Sequence, residues 1–232
     1  MHFRLAFFTL YMVSGIAWSQ QATVFSTTLQ KDVSYGYVLQ SPNATRSAKP
    51  LLVFLHGSGE RGNSIDLVGI HGPLKYAATT PLDAYILAPQ CPENEYWNEE
   101  VLYRLISKIV AENNIDSQRI YLTGLSMGAW GAWNLVCAYP STFAAVVPIA
   151  GFVDRLPMIE ACALKNIPIK MYHGLLDDVV SVDYSIYMYS KLKKCNSNVS
   201  LIIFDDANHD SWSRVYNSKD IYDWLFAQIK IN

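Results

Sequence analysis

Charge is scarce in this sequence. Charged residues make up 16% of the 232-residue chain, and the formal net charge is −2. No cluster of Lys and Arg stands out, so neither nucleic-acid binding nor attachment to an anionic membrane is expected. Cysteine is scarce too, with four in the chain: Cys91, Cys137, Cys162 and Cys195. There is no C-x-x-C and no zinc-like Cys/His spacing, so no metal site is expected. The G-x-x-x-x-G-K-[ST] phosphate loop is missing, as are internal repeats and low-complexity tracts. No apolar run reaches the ~20 residues that a membrane span needs. Apolar side chains, by contrast, are abundant at 51% of residues. That is enough for one large core and argues against disorder.

The start of the chain reads as a targeting segment. His2 and Arg4 precede a mostly apolar run, Leu5 to Ala17, and Ala17-Trp18-Ser19 sets small residues at the −3 and −1 positions of a cleavage site. The competing reading, a transmembrane anchor, suffers from the shortness of the run. No Cys follows it, which disfavours a lipid anchor. The expectation is a signal peptide over residues 1–19, cleavage near Ser19, and a secreted or periplasmic protein consisting of one domain over residues 20–232. An exported protein can keep disulfides. Two readings of the cysteines stay open: buried thiols, or a single bridge. For a bridge, Cys162 with Cys195 is the favoured pair, because each lies near the end of an element flanking a core strand.

Thr23 to Leu29 and Ser34 to Leu39 look like strands, and a polar loop follows from Pro42 to Pro50. Short apolar runs then recur at Leu51 to Leu55, Ala84 to Ala88, Ile120 to Thr123, Ala144 to Ile149, Ile167 to Tyr172 and Val199 to Phe204. Several lack strict alternation, as strands covered on both faces do. Helical patterns separate many of them: Glu99 to Asn113, Met127 to Tyr139, Val182 to Lys194, and about Lys219 to Ile229 behind a Ser218 cap. Strand alternating with helix predicts an α/β fold, a mostly parallel sheet with helices on both faces. Ligands then sit at the carboxyl ends of the strands.

The residues just after the strands carry chemistry. Ile120 to Thr123 runs into Gly124-Leu125-Ser126-Met127-Gly128, and a helix pattern follows. A G-x-S-x-G between strand and helix needs small residues for its sharp turn, and it lifts the serine hydroxyl to a helix N-terminus that favours developing negative charge. A chance motif in a loop would lack both neighbours. A serine needs a base, and in this arrangement the acid and then the histidine follow along the chain. Asp177, after the strand ending at Tyr172, is the better placed acid; Asp178 is the alternative, and the competing reading for either is an exposed turn carboxylate or a cap for the helix that follows. His209, after Val199 to Phe204, is the only histidine beyond the acid. The oxyanion of an acyl-transfer intermediate calls for the Met127 amide and a second amide from His56-Gly57-Ser58-Gly59-Glu60-Arg61-Gly62, with Ser58 preferred and Gly59 next. His56 is expected to brace that loop, His71 to lie near the site mouth, and His173 to buttress the acid turn rather than bind metal. Glu60 either touches substrate or pairs with Arg61. Trp97 either lines the pocket or stands exposed.

Leu-His-Gly-Ser-Gly-Glu-Arg-Gly, Ala-Pro-Gln-Cys-Pro, Tyr-Leu-Thr-Gly-Leu-Ser-Met-Gly, the His-Gly-x-x-Asp-Asp turn and Asn-His-Asp-Ser-Trp together resemble one group of the α/β-hydrolase superfamily. It comprises the compact secreted esterases and predicted peptidases near the prolyl oligopeptidase and phospholipase/carboxylesterase families. The resemblance covers roughly residues 50 to 228. It implies an α/β-hydrolase fold and a hydrolase without metal or organic cofactor, with Ser126 as nucleophile, Asp177 as acid and His209 as base. It departs at Ser181, where relatives often have Pro, and at Ala129, where Gly is common; neither touches the triad. The expected activity is hydrolysis of a carboxylic ester, on a small molecule or linked to a polysaccharide, with acetyl and feruloyl groups as candidates. A small serine peptidase or acyl-thioesterase is the alternative within enzymes. A binding protein on a dead scaffold would show a missing triad member or a blocked oxyanion loop, and the sequence shows neither.

Overall fold

The computed structural model describes residues 34–43, 46–195 and 197–230. The expected signal segment and the Thr23 to Leu29 strand lie outside these residues. Among the described residues seven strands form one sheet: β1 (Gly36–Gln40), β2 (Lys49–Leu55), β3 (Tyr85–Gln90), β4 (Ile115–Leu125), β5 (Ala145–Ile149), β6 (Ile169–Gly174) and β7 (Val199–Phe204). Their order is β1-β3-β2-β4-β5-β6-β7. Only β1 runs antiparallel, against β3; every other pairing is parallel.

The helices are α1 (Gly72–Ala77), α2 (Glu99–Glu112), α3 (Met127–Ala138), α4 (Arg155–Glu160), α5 (Asp183–Lys194), α6 (Trp212–Tyr216) and α7 (Lys219–Phe226). Side chains alternate across a strand, so β2 feeds two cores. Leu51, Val53 and Leu55 belong to one continuous core with Leu102 and Ile106 of α2, Trp133 and Val136 of α3, and Met188 and Leu192 of α5. Leu52 and Phe54 face the other way, toward Val215 and Tyr216 of α6 and Ile221, Tyr222 and Leu225 of α7. Burial on both faces explains why the strands read as continuous apolar runs.

The helix starts follow capping chemistry. The Asn98 side chain accepts the Val101 amide at 3.0 Å, with Glu99 and Glu100 in the first turn of α2. Ser218 accepts the Asp220 amide at 3.2 Å. β4 begins five residues earlier than its apolar run, because its first half carries Asp116, Ser117, Gln118 and Arg119 and is held by an Asp116–Arg119 ion pair at 2.7 Å. α1, α4 and α6 have six, six and five residues. Two turns or fewer are too short for helical periodicity to show. Cys162 and Cys195 are bonded, joining the turn after α4 to the end of α5, while Cys91 and Cys137 are free thiols. Among the described residues, no helix is long and apolar enough to cross a membrane.

Candidate active site

Ser126 sits between β4 and α3 with φ 52 and ψ −119. A side chain rarely adopts that conformation, and holding it costs of order 1–3 kcal/mol. Its surroundings over-determine it. The Ser126 amide donates to the Ile149 carbonyl at 2.9 Å, and the Ser126 carbonyl accepts from Ala129 at 3.0 Å and Trp130 at 3.2 Å. The flanking glycines are obligatory for packing. A Cβ on Gly128 would lie 1.9 Å from the Leu55 carbonyl oxygen, and one on Gly124 would lie 2.3 Å from the Gly128 oxygen. The motif spacing is thus a demand for room between β2, β4 and α3.

The structure brings Ser126, His209 and Asp177 together. His209 Nε2 lies 3.0 Å from Ser126 Oγ, and His209 Nδ1 lies 2.8 Å from Asp177 Oδ2. With the ring proton on Nδ1 and donated to the carboxylate, Nε2 is free to accept the serine proton. The Asp177 side chain is fully buried, and its Oδ1 accepts the amides of Val179 at 3.0 Å and Val180 at 2.8 Å. Burial pushes this carboxyl up, but the hydrogen bonds from His209 and the two amides outweigh it and hold Asp177 below the ordinary carboxylate range. Asp178, the alternative acid, is exposed on the outside of the turn.

His173 buttresses the acid turn, as expected. Its Nε2–H donates to the Val180 carbonyl at 2.9 Å and lies 3.1 Å from Asp177 Oδ2, and its Nδ1 accepts from the Ser185 hydroxyl at 2.8 Å. Burial lowers its pKa, so it stays neutral at neutral pH. Glycine matters here as well: a Cβ on Gly174 would lie 2.3 Å from the carbonyls of Ala207 and Asn208, which brings the His209 loop against the acid turn.

The loop after β2 closes the other side. Ser58–Glu60 forms a 3-10 turn, with Ser58 and Gly59 exposed. A Cβ on Gly57 would lie 3.6 Å from Ser126 Cβ and 2.8 Å from Leu125 Cδ1, so this loop packs directly on the nucleophile turn. Met127 is the first residue of α3. The Met127 and Ser58 amides therefore both open helical turns beside Ser126, where backbone donors lack intrahelical acceptors. His56 braces the loop: its Nε2 accepts the Cys91 amide at 3.0 Å and its Nδ1–H donates to the Gly57 carbonyl at 2.6 Å. Burial lowers its pKa to about 4, so it stays neutral.

Trp97 departs from both of its sequence readings, and Glu60 from one of its two. Trp97 is neither exposed nor on the open side of the site; it is 3% exposed, with its ring edge on His56 and its Nε1–H donating to the His56 carbonyl at 3.3 Å. It braces the loop after β2 from inside the core, and it fits because Gly131 of α3 leaves room: a Cβ there would lie 2.6 Å from the indole. Glu60 does not pair with Arg61. Its carboxyl turns inward, 3.5 Å from His71 Nε2 and 3.8 Å from His56 Nδ1, and burial raises its pKa. Arg61 instead donates to the carbonyls of Ser58 and Glu95. His71 does reach the mouth, edge-on to Trp212, whose ring meets His209 edge-on at 5.0 Å. No pattern in the sequence marks Trp212 as a neighbour of His209; its place three residues further on, at the start of a short helix, is the available signal. No group of side chains suited to a metal ion occurs among the described residues.

A serine hydrolase of the α/β-hydrolase superfamily is the class that this sheet, turn and relay define. The profile of the phospholipase/carboxylesterase family matches residues 97–225, a stretch that holds Ser126, Asp177 and His209, and the chain belongs to that family. An acyl-protein thioesterase 1 homolog 2 of Dictyostelium discoideum is 30% identical over 130 residues, covering 53% of this chain and 57% of that protein. A poly(3-hydroxyalkanoate) depolymerase C of Paucimonas lemoignei is 40% identical over 48 residues, 21% of this chain and 12% of that protein. Among solved structures, a thermostable esterase superposes with TM-score 0.76 at 32% identity, covering 85% of this chain and 60% of its own. In each case the chain spans less than two thirds of the relative's length.

Proposed function

We propose that the protein hydrolyses carboxylic esters through an acyl-enzyme on Ser126. One observation carries this: the unbroken relay from Asp177 through His209 to Ser126 Oγ at the head of α3. In the first half-reaction Ser126 Oγ attacks the ester carbonyl carbon while His209 Nε2 takes its proton. The oxyanion faces the Met127 and Ser58 amides. As the C–O bond breaks, His209 returns the proton to the departing alcohol, leaving the acyl group on Ser126. Water, deprotonated by the same nitrogen, then attacks the acyl carbonyl carbon; as the bond to Ser126 breaks, His209 returns the proton to Ser126 Oγ and the acid leaves. Asp177 fixes the tautomer and stabilises the imidazolium, while His173 and the Val179 and Val180 amides hold the carboxylate in place.

The substrate is a small or polysaccharide-linked ester, with acetyl and feruloyl groups foremost. A thioester is the second reading, favoured by the thioesterase relative. The apolar segment over residues 5–17, the small residues before Gln20 and the Cys162–Cys195 bridge support action outside the cytoplasm, by a single domain released near Ser19. The test uses protein beginning at Gln20. It should cleave p-nitrophenyl acetate and take up a fluorophosphonate probe at Ser126, and Ser126→Ala should lose both. Retention of either activity by Ser126→Ala overturns the assignment. A panel of acetylated xylan, feruloyl esters and acyl-thioesters ranks the substrates.

A further inference from the structure

Four aromatic rings on four separate segments run past the nucleophile in an unbroken strip. It begins on the oxyanion loop, where the Arg61 guanidinium lies 5.8 Å over the Tyr96 ring. Tyr96 meets Trp130 at 5.6 Å, Trp130 meets Phe152 at 5.7 Å, and Phe152 meets Tyr184 at 6.4 Å. The strip is anchored to Ser126. Trp130 stands one helical turn after it and bonds its carbonyl, and Phe152 follows Gly151, whose absent Cβ would lie 3.0 Å from that same carbonyl. The strip therefore joins the oxyanion loop to the helix that follows the acid turn.

Trp130 leans on the core with part of its surface, but core packing does not account for the two end rings. Tyr96 is 59% exposed and Tyr184 40%. Exposed rings held in a row beside a reactive group mark a binding surface. Its edges are polar. Exposed Asp154 accepts from Trp130 Nε1–H and from Asn134, and Arg61 and the two phenols add further donors and acceptors. Past Tyr184 the strip leads into a cleft of about 530 Å³ between α4 and α5, where Tyr187 adds a ring, Met158 and Ile186 add aliphatic surface, and Ser181, Asp183 and Ser190 add hydroxyl and carboxylate groups. An acyl chain gains most from a closed aliphatic slot. An open row that alternates ring faces and ring edges, with only Trp130 and Phe152 near parallel, and that has polar rims suits an amphipathic partner whose own rings have apolar faces and hydroxyl edges. Its length suits several such rings in succession rather than a single aryl group.

We propose that Tyr96, Trp130, Phe152 and Tyr184 form a subsite for the sugar chain that carries the ester, laying successive sugar rings beside Ser126. The proposal deepens the ester-hydrolase reading and rests on it for its biological meaning, but its test needs no catalysis. Ser126→Ala protein is titrated calorimetrically with xylohexaose and with cellohexaose. Saturable binding of at least one is expected. Adding Tyr96→Ala or Tyr184→Ala should weaken it by about two- to tenfold each, the worth of one ring contact. Tyr37→Ala, an exposed ring on β1, serves as the control. The exposure of Tyr96 and Tyr184 means that their replacement should leave folding intact, which thermal denaturation checks. Binding of neither oligosaccharide overturns the proposal, as does binding that ignores both tyrosines. A third result also overturns it: kcat/KM of the Ser126 enzyme that climbs with acyl length in p-nitrophenyl esters, with the climb lost in Tyr184→Ala, would make the strip an acyl site. Failure of the ester reading would appear separately, as no hydrolysis of p-nitrophenyl acetate.

Discussion

Asp177→Asn tests the relay at its most constrained point. The carboxylate has two oxygens with separate duties: Oδ1 accepts the Val179 and Val180 amides, and Oδ2 accepts from His209 and faces His173. Asparagine keeps the shape but has one oxygen. If its NH2 faced the exposed Val179 and part-buried Val180 amides, donor would meet donor, at a cost of about 1–3 kcal/mol where the group left unsatisfied is shielded from water. The less costly arrangement keeps the oxygen on the amides and turns the NH2 toward His209. Nδ1 must then accept, the ring proton moves to Nε2, and that proton points at Ser126 Oγ. A base carrying its proton on the wrong nitrogen cannot take another. We expect kcat to fall by about 10⁴, roughly 5 kcal/mol of transition-state stabilisation, with KM little changed because Asp177 is buried away from substrate. Stability should fall by only about 1–3 kcal/mol, a few degrees in Tm for a chain of this size. Initial rates on p-nitrophenyl acetate, beside calorimetry and Asp178→Asn as the partner variant, separate the two effects. The reasoning is refuted if Asp177→Asn keeps more than about a hundredth of kcat, or if exposed Asp178→Asn loses as much.

Three further outcomes follow from the geometry. Ser126→Gly removes the strain of a side chain at φ 52 and should raise the denaturation midpoint by the equivalent of about 1 kcal/mol while abolishing hydrolysis; a lower midpoint would count against stored strain. Gly128→Ala should cost more than about 3 kcal/mol or prevent folding, whereas Gly59→Ala, which meets nothing within 4 Å, should stay within about 0.5 kcal/mol, as urea titrations would show. Finally, stability should fall as pH drops from about 6.5 to about 4. His56 and His173 are held neutral below the ordinary histidine value, so the unfolded chain takes up protons in that window and the folded one does not. For His56 the effect amounts to about 3 kcal/mol. Asp177, held low, adds its own loss at more acid pH. Calorimetric scans between pH 7.5 and 4.5 should show the slope, and His56→Asn should flatten part of it; an unchanged Tm across the window would contradict both assignments.

The strands of the sheet, the G-x-S-x-G turn and the order of Ser126, Asp177 and His209 along the chain are legible without the tertiary structure. These are local matters. A strand buried on both faces must be an apolar run, and a turn squeezed between Leu55 and α3 must have glycine at 124 and 128. Adjacent Asp177 and Asp178 have the same local chemistry. Only the approach of the His209 loop over Gly174 turns one carboxyl inward and leaves the other in solvent. Trp97 reads as a loop aromatic until α3 presents Gly131 beneath it, and Glu60 looks like a partner for Arg61 until His56 and His71 arrive from elsewhere. The aromatic strip shows no pattern along the chain, because its four rings lie on segments that meet only at the carboxyl edge of the folded sheet. Backbone demands are written in neighbouring residues. Which side chains share a surface depends on contacts between distant ones, and those exist only once the sheet has ordered its strands.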